Sequence, residues 1–479
     1  MARDPVEDWL SAQVDPLAPA PGSFERIQRR ARRRKAGRAA AAAAGAAIVL
    51  AAAVTVPRIA TSLQSHASSP SRPVAAGSHP ASSRPGPTGS GGGNTSSKSS
   101  KKVPQQGSAL SPEGSGDAVP PNFQPTSVTF VSTAIGAVIG QAGTPGHCAT
   151  PYCTSLAGTS DYGSTWYGVS APLTGPPDGS SGVGQVRFLD TDDGWAFGPQ
   201  LWVTHDGGAA WTRERTYGMR VTDLETVGNR AFALFATCTG SGASYGAACT
   251  SFSLYSSVAT SDQWLPVPGS AAHLALPQTA ATQAASASLV LTGGPTTGRG
   301  YLLAPSGELL SGPLTGAAWT IADAQAPCAP GAPGPGGQPT GALLAAGSDH
   351  LILVCTSATN TAGDSQAKTV MQSSDGGTSW SPVGDAPLAG IATSLAAAQG
   401  NLVVLATDAG LYLSGNGGAS WRLAQKGPAG AAAGQRGFAY VGMTSQLEGV
   451  ALPADPGLHE VFITTDGGAA WQPHQVSSP

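Results

Sequence analysis

Charge and aromatic rings are scarce in this 479-residue chain, at 11% and 6% of its residues. A coiled coil, which needs a high share of Glu, Lys and Leu, is thereby excluded. Glycine is plentiful, at 65 residues, but follows no three-residue period, so collagen is excluded too. None of the eight histidines sits in an H-E-x-x-H or H-x-H pattern, and no C-x-x-C is present. The common zinc signatures are therefore missing, and no metal or cofactor is expected. Basic charge is short where a polyanion would need it. Residues 122–479 carry ten basic and twenty-one acidic side chains, so nucleic acid is not an expected partner of that part.

What is present divides the chain into four stretches. Residues 1–38 form a basic tail, with eight Lys or Arg between Arg26 and Arg38. The next stretch, Ala39–Val56, carries no charge and holds eleven Ala with five Ile, Val or Leu. Eighteen helical residues span about 27 Å, close to the thickness of a hydrocarbon core. Residues 39–57 are accordingly expected to be a signal anchor, with the basic side in the cytoplasm and anionic headgroups as the partner of the Arg run. A cleaved signal peptide with a long leader and an Ala-rich soluble helix stay open as alternatives. Residues 58–121 are dominated by Ser, Pro and Gly, as in Ser90–Asn94 and Ser96–Lys102. Such a segment buries too little apolar surface to order itself and reads as a disordered linker, with a reach of roughly 40–50 Å. The localisation expected from this layout is the plasma membrane, single-pass, with the C-terminal domain extracytoplasmic.

Residues 122–479 repeat. Thr159–Trp166, Thr204–Trp211, Ser373–Trp380, Ser414–Trp421 and Thr464–Trp471 share one pattern: Ser or Thr, any, Asp or Asn, any, Gly, any, any, Trp. Its fixed residues are Asp161, Gly163 and Trp166; Asp206, Gly208 and Trp211; Asp375, Gly377 and Trp380; Asn416, Gly418 and Trp421; Asp466, Gly468 and Trp471. A tight hairpin explains the pattern. The Asp or Asn side chain bonds backbone N–H groups a few residues on, and the Gly supplies a positive φ. The Trp is expected to begin the next strand with its ring inward. Two weaker copies, Tyr255–Trp264 and Tyr301–Trp319, fill the long gap, giving Trp spacings of 45, 53, 55, 61, 41 and 50. Upstream strands such as Ser127–Val131, Gln185–Leu189 and Leu402–Leu405 bring each unit to about four strands, the content of one propeller blade. The expected fold is all-β, a seven-bladed β-propeller.

The motif resembles the Asp-box, or BNR repeat, of sialidases and many non-enzymatic propellers. The seven-unit count and the Phe-x-x-x-x-x-Gly-Trp-Ala stretch Phe188–Ala196 resemble photosystem II assembly-factor-like propellers. The Arg-preceded, Ala-rich anchor resembles membrane-anchored actinobacterial proteins that carry such repeats. The resemblance implies a structural role for the repeated residues at the blade periphery and names no activity.

Six cysteines, Cys148, Cys153, Cys238, Cys249, Cys328 and Cys355, fall as three pairs, each within one unit. Local disulfides are expected, and they fit an oxidising compartment.

A sialidase needs an arginine triad and an Arg-Ile-Pro signature. The eight arginines of 122–479 are Arg187, Arg213, Arg215, Arg220, Arg230, Arg299, Arg422 and Arg436, and none stands in that signature. Gly242–Gly246 matches G-x-S-x-G, but lies between Cys238 and Cys249, far from the strand-to-helix turn that motif needs. Asp190, Asp192 and Asp193 read as the residues of a solvated hairpin, and His205 as an exposed turn residue. One carboxylate per repeated turn is too few for calcium. No catalytic, cofactor or metal residue is assigned. The expected function is a non-catalytic binding or scaffold module for a protein or cell-wall glycan, with the channel mouth as its site. Two alternatives are a divergent glycosidase, needing two channel carboxylates about 5–9 Å apart, and a transmembrane signal transducer docking through Asp4–Leu10 and Ser23–Arg34.

Overall fold

The computed structural model describes residues 109–478 apart from short internal stretches, of which 239–248, 271–286 and 329–340 are the longest. The expected tail 1–38, span 39–57 and most of the linker lie outside the described residues, as does Gly242–Gly246. Among the described residues no helix is long and apolar enough to cross a membrane.

Seven antiparallel sheets follow one another along the chain, each with four strands in plain sequence order. The first sheet carries one extra two-residue strand, His147–Cys148. Each sheet is one blade. The inner strands are Phe123–Phe130, Gln185–Phe188, Arg220–Val227, Ser288–Thr292, Gly341–Ala346, Ala392–Ala397 and Phe438–Met443.

The second strands show why blades stack. In Arg230–Cys238 of blade 3, Ala231, Ala233 and Phe235 pack with blade 2, while Phe232, Leu234 and Ala236 pack with blade 4. Side chains alternate across a strand, so a continuous apolar run serves two interfaces at once. Seven buried clusters result, each shared by two neighbouring blades. The last closes the ring, joining Val450, Leu452, Val461 and Ile463 of blade 7 to Phe123, Val128 and Val138 of blade 1. Among the described residues no strand is exchanged across this seam. Hydrogen bonds reinforce it: Asn122 N–H donates to the Ser478 carbonyl, and Phe123 N–H to Ser477 Oγ.

Composition places 109–121 in the linker, but Leu110 and Asp117 of this stretch pack on the propeller. Leu110 is buried in the blade 1–2 cluster and its N–H donates to the Gly207 carbonyl at 2.7 Å. Asp117 forms an antiparallel bridge with Gly168, in the outermost strand of blade 1. That strand, Tyr167–Val169, has only three residues, and the strap covers part of its open edge.

All three disulfides form as the local pairs expected: Cys148–Cys153, Cys238–Cys249 and Cys328–Cys355. The first two close the connection between second and third strands of blades 1 and 3, and the third ties the approach to blade 5 to its second strand.

Candidate functional site

The five repeated turns join third to fourth strands, all at one face of the ring. In blade 7, Thr464 Oγ1 accepts from Gly468 N–H at 2.9 Å and donates to Asp466 Oδ1, which accepts from Ala470 N–H at 3.0 Å. The same bonds recur around Asp161, Asp206, Asp375 and Asn416. Hydroxyl and amide donors from Ser379 lead in holding the Asp375 carboxyl at about 2. For Asp161 and Asp466, burial pushes upward but the turn donors win and the pKa falls. These carboxylates are spent inside their own turns and do not converge on one site.

The glycine does more than supply a positive φ. A Cβ on Gly377, at φ +89°, would strike Leu309 of blade 4. On Gly418 it would lie 2.6 Å from Val370 of blade 5, and on Gly468 3.3 Å from Val404 of blade 6. Each turn therefore seats against the preceding blade. The tryptophans stand one residue before the fourth strand, and Trp166, Trp421 and Trp471 fold back over the turn glycine. Trp471 is buried, whereas Trp166, Trp211, Trp380 and Trp421 are half-buried. The inward ring expected from the sequence is met fully only in blade 7.

At the axis, each inner strand has a free edge, and side chains from the preceding blade occupy parts of it. Thr126 Oγ1 donates to the Gly184 carbonyl at 2.8 Å, and Thr393 Oγ1 to the Phe438 carbonyl at 2.7 Å. Charge gathers on the blade 2–3 side. Arg187 pairs with Glu225 at 2.9 Å and donates from Nε to the Leu224 carbonyl. Burial opposes its charge, yet Glu225, Tyr440 and Asp223 hold its pKa above the usual arginine value. Asp223 accepts from Leu289 N–H of blade 4 at 3.0 Å. Burial, and then the Glu225 charge, push Asp223 up to about 7; burial also raises Glu225. Two channel carboxylates thus exist, each already engaged by a protein donor.

His205 is not a simple exposed turn residue. Its side chain is 41% exposed but bridges blades, with Nδ1 at 2.7 Å from Asp193 and Nε2 at 2.9 Å from Asp262 of blade 3. The Asp193 bond, against burial and helped by Asp262, pushes His205 up to about 9. Asp190 Oδ1 accepts the N–H groups of Asp192 and Asp193, as a hairpin-shaping residue would. Asp193 departs from the solvated reading, being 7% exposed.

The turn face also holds two adjoining cavities. One of about 300 Å³ lies at the channel mouth, where the inner strands of blades 4 to 7 end, and is lined by Leu291, Ala346, Ala397 and Met443. The other, of about 550 Å³, opens between blades 4 and 5 and is lined by Arg299, Tyr301, Ser311, Thr320 and Thr378. They share Thr292 and Gly347, so the mouth continues outward as a cleft. Sequence reasoning pointed to the mouth but singled out neither Arg299 nor the channel group Arg187, Asp223 and Glu225. The available signal was two acids two positions apart, Asp223 and Glu225, the spacing that puts both on one side of a strand.

No family model matches the chain, and no curated protein does. Solved structures do. YCF48 from Cyanidioschyzon merolae is 13% identical over 61% of this chain and 85% of that chain, with a TM-score of 0.39. The β-propeller domain of the Trilobed protease from Pyrococcus furiosus is 7% identical, over 74% and 98%, with a TM-score of 0.41. PorZ, a surface component of the type-IX secretion system of Porphyromonas gingivalis, is 10% identical, over 75% and 38%, with a TM-score of 0.37. The seven-bladed assignment rests on this chain's own sheets and interfaces.

Proposed function

We infer that the chain presents its propeller outside the cytoplasm, on a membrane anchor, as a non-catalytic binding module of the Asp-box kind. The observation that carries this reading is the cavity at the turn-face mouth running on into the blade 4–5 cleft. Loops of several blades converge there on a rigid ring, as binding sites on scaffolds commonly do. The three disulfides support the extracytoplasmic placement. The test is capture from cell-envelope extract by the full chain, compared with an Ala397→Glu variant that places charge in the mouth. Saturable capture of one component, lost in the variant while the melting temperature holds, is the expected result. Equal capture by both proteins sinks the mouth as the site.

A divergent glycosidase is the second reading, favoured by Asp223 standing near neutrality beside Glu225 on one inner strand. Release of shortened glycans by the wild-type chain, abolished in Asp223→Asn, would put it first.

A further inference from the structure

Arg299 stands at the start of the second strand of blade 4 and is exposed in the 550 Å³ cleft. Its Nη2 donates to Ser311 Oγ at 3.0 Å, and Tyr301, Thr320 and Thr378 line the same cleft. One acid, Asp375, lines the same cleft. Both oxygens of Asp375 are taken up by Ser373, Thr378 and Ser379 inside the turn. Arg299 is thus a cation whose described partners are neutral, in a domain where acids outnumber bases by twenty-one to ten.

We propose that the blade 4–5 cleft binds the free C-terminal carboxylate of an extended peptide, with Arg299 as the anchor and the preceding residues running to the channel mouth. This rests on the binding-module reading and names the ligand of that site. One guanidinium with hydroxyls on either side matches a monoanion, since a carboxylate accepts two parallel bonds from an arginine fork. A polyanion meets only this one arginine, and no lysine, in the cleft lining. A sugar ring would need an exposed aromatic face to stack on, and the Tyr301 ring is 5% exposed. Inward, the lining turns small and apolar at Leu291, Ala346 and Ala397, which suits short apolar side chains next to the chain end.

The experiment exposes the full chain to an equimolar pool of random hexapeptides with free carboxyl ends, and to the same pool amidated, and measures depletion by mass spectrometry. The expected result is saturable depletion of the free-acid pool only. Arg299→Gln weakens it about tenfold or more, the loss of one charged hydrogen-bond pair. Thr320→Glu, an exposed cleft position that would place a repelling charge near Arg299, weakens it as well and keeps the test valid should Arg299→Gln melt low. Arg422→Gln, on blade 6, leaves depletion unchanged. Equal depletion of both pools, wild-type depletion by Arg299→Gln and Thr320→Glu, or no depletion of either pool overturns the proposal. Envelope capture that is lost in Ala397→Glu but intact in Arg299→Gln would leave the binding module standing and remove this cleft from it.

Discussion

Five of the seven blade interfaces are closed by a turn and two by an aromatic. Blades 1, 2, 5, 6 and 7 seat a glycine of the repeated turn on the blade before them. Blades 3 and 4 have lost that turn, but each keeps its tryptophan. Trp264 and Trp319 sink to 8% and 1% exposure, into the clusters shared with blades 2 and 3. Trp264 meets Trp195 and Phe235 edge-on, and Trp319 lies 6.0 Å from Phe232. The Trp319 ring also fills the space where Gly300 and Gly312 lack side chains. A buried backbone bond joins in: the Trp319 main-chain N–H donates to the Pro268 carbonyl of blade 3. The same position on the blade can thus be closed by backbone fit or by side-chain volume. The tryptophan is the constant part.

The comparison breaks most visibly at Trp319. Trp319→Ala removes a fully buried ring from a site whose glycines cannot fill the space, and should cost about 3–5 kcal/mol. Trp421→Ala, at a turn-clamped and half-buried site, should cost clearly less. Denaturant unfolding of both variants checks the order; equal losses would mean that the two kinds of interface do not differ. Next comes Gly377→Ala. A Cβ there meets Leu309 and a positive φ together, for about 2–4 kcal/mol. Leu309→Ala in the same chain should recover the steric share and leave the backbone share, so the double-mutant cycle should show coupling. Additive losses would show that the glycine serves φ alone. Smaller again is Thr464→Val, which keeps the shape of a buried side chain but leaves Gly468 N–H without its acceptor, for about 1–3 kcal/mol.

Much of this was legible in the sequence for a physical reason. A turn that satisfies its own donors is a local object, so Thr464, Asp466 and Gly468 announce it within five residues. The blade count follows from five such turns and the two tryptophans, Trp264 and Trp319, that mark the weaker copies between them, and the cysteine pairs follow because both partners lie in one blade. Interblade contacts are not local. Nothing near Gly377 points to Leu309, 68 positions earlier. Arg187 and Glu225 are unremarkable until two inner strands, 38 positions apart, lie side by side. Arg299 acquired interest only when Asp375, on the facing blade, proved to be occupied by its own turn. The strap was hidden differently: Leu110 is one apolar residue in a Ser- and Gly-rich stretch, and composition averages it away.

His205 gives the smallest effect and the finest probe of an interface without the turn clamp. Its imidazolium joins Asp193 of blade 2 to Asp262 of blade 3, with Glu214 the other acid in its field. Its folded pKa, about 9, lies above the ordinary imidazole value of about 6.5, so folding favours the protonated ring. The stabilisation is then fully present below about pH 6.5 and drains away as pH rises through about 9. Solvent screening at a 41% exposed side chain keeps its size to about 1 kcal/mol or less. Urea midpoints of the wild type and His205→Gln, at pH 6 and again above pH 9.5, isolate the contribution because every other titration is common to both. The gap between the two proteins should shrink with pH. A gap that stays constant would mean the ring acts by packing alone, and interface 2–3 would then depend on Trp264 and Arg187 without help from this charge.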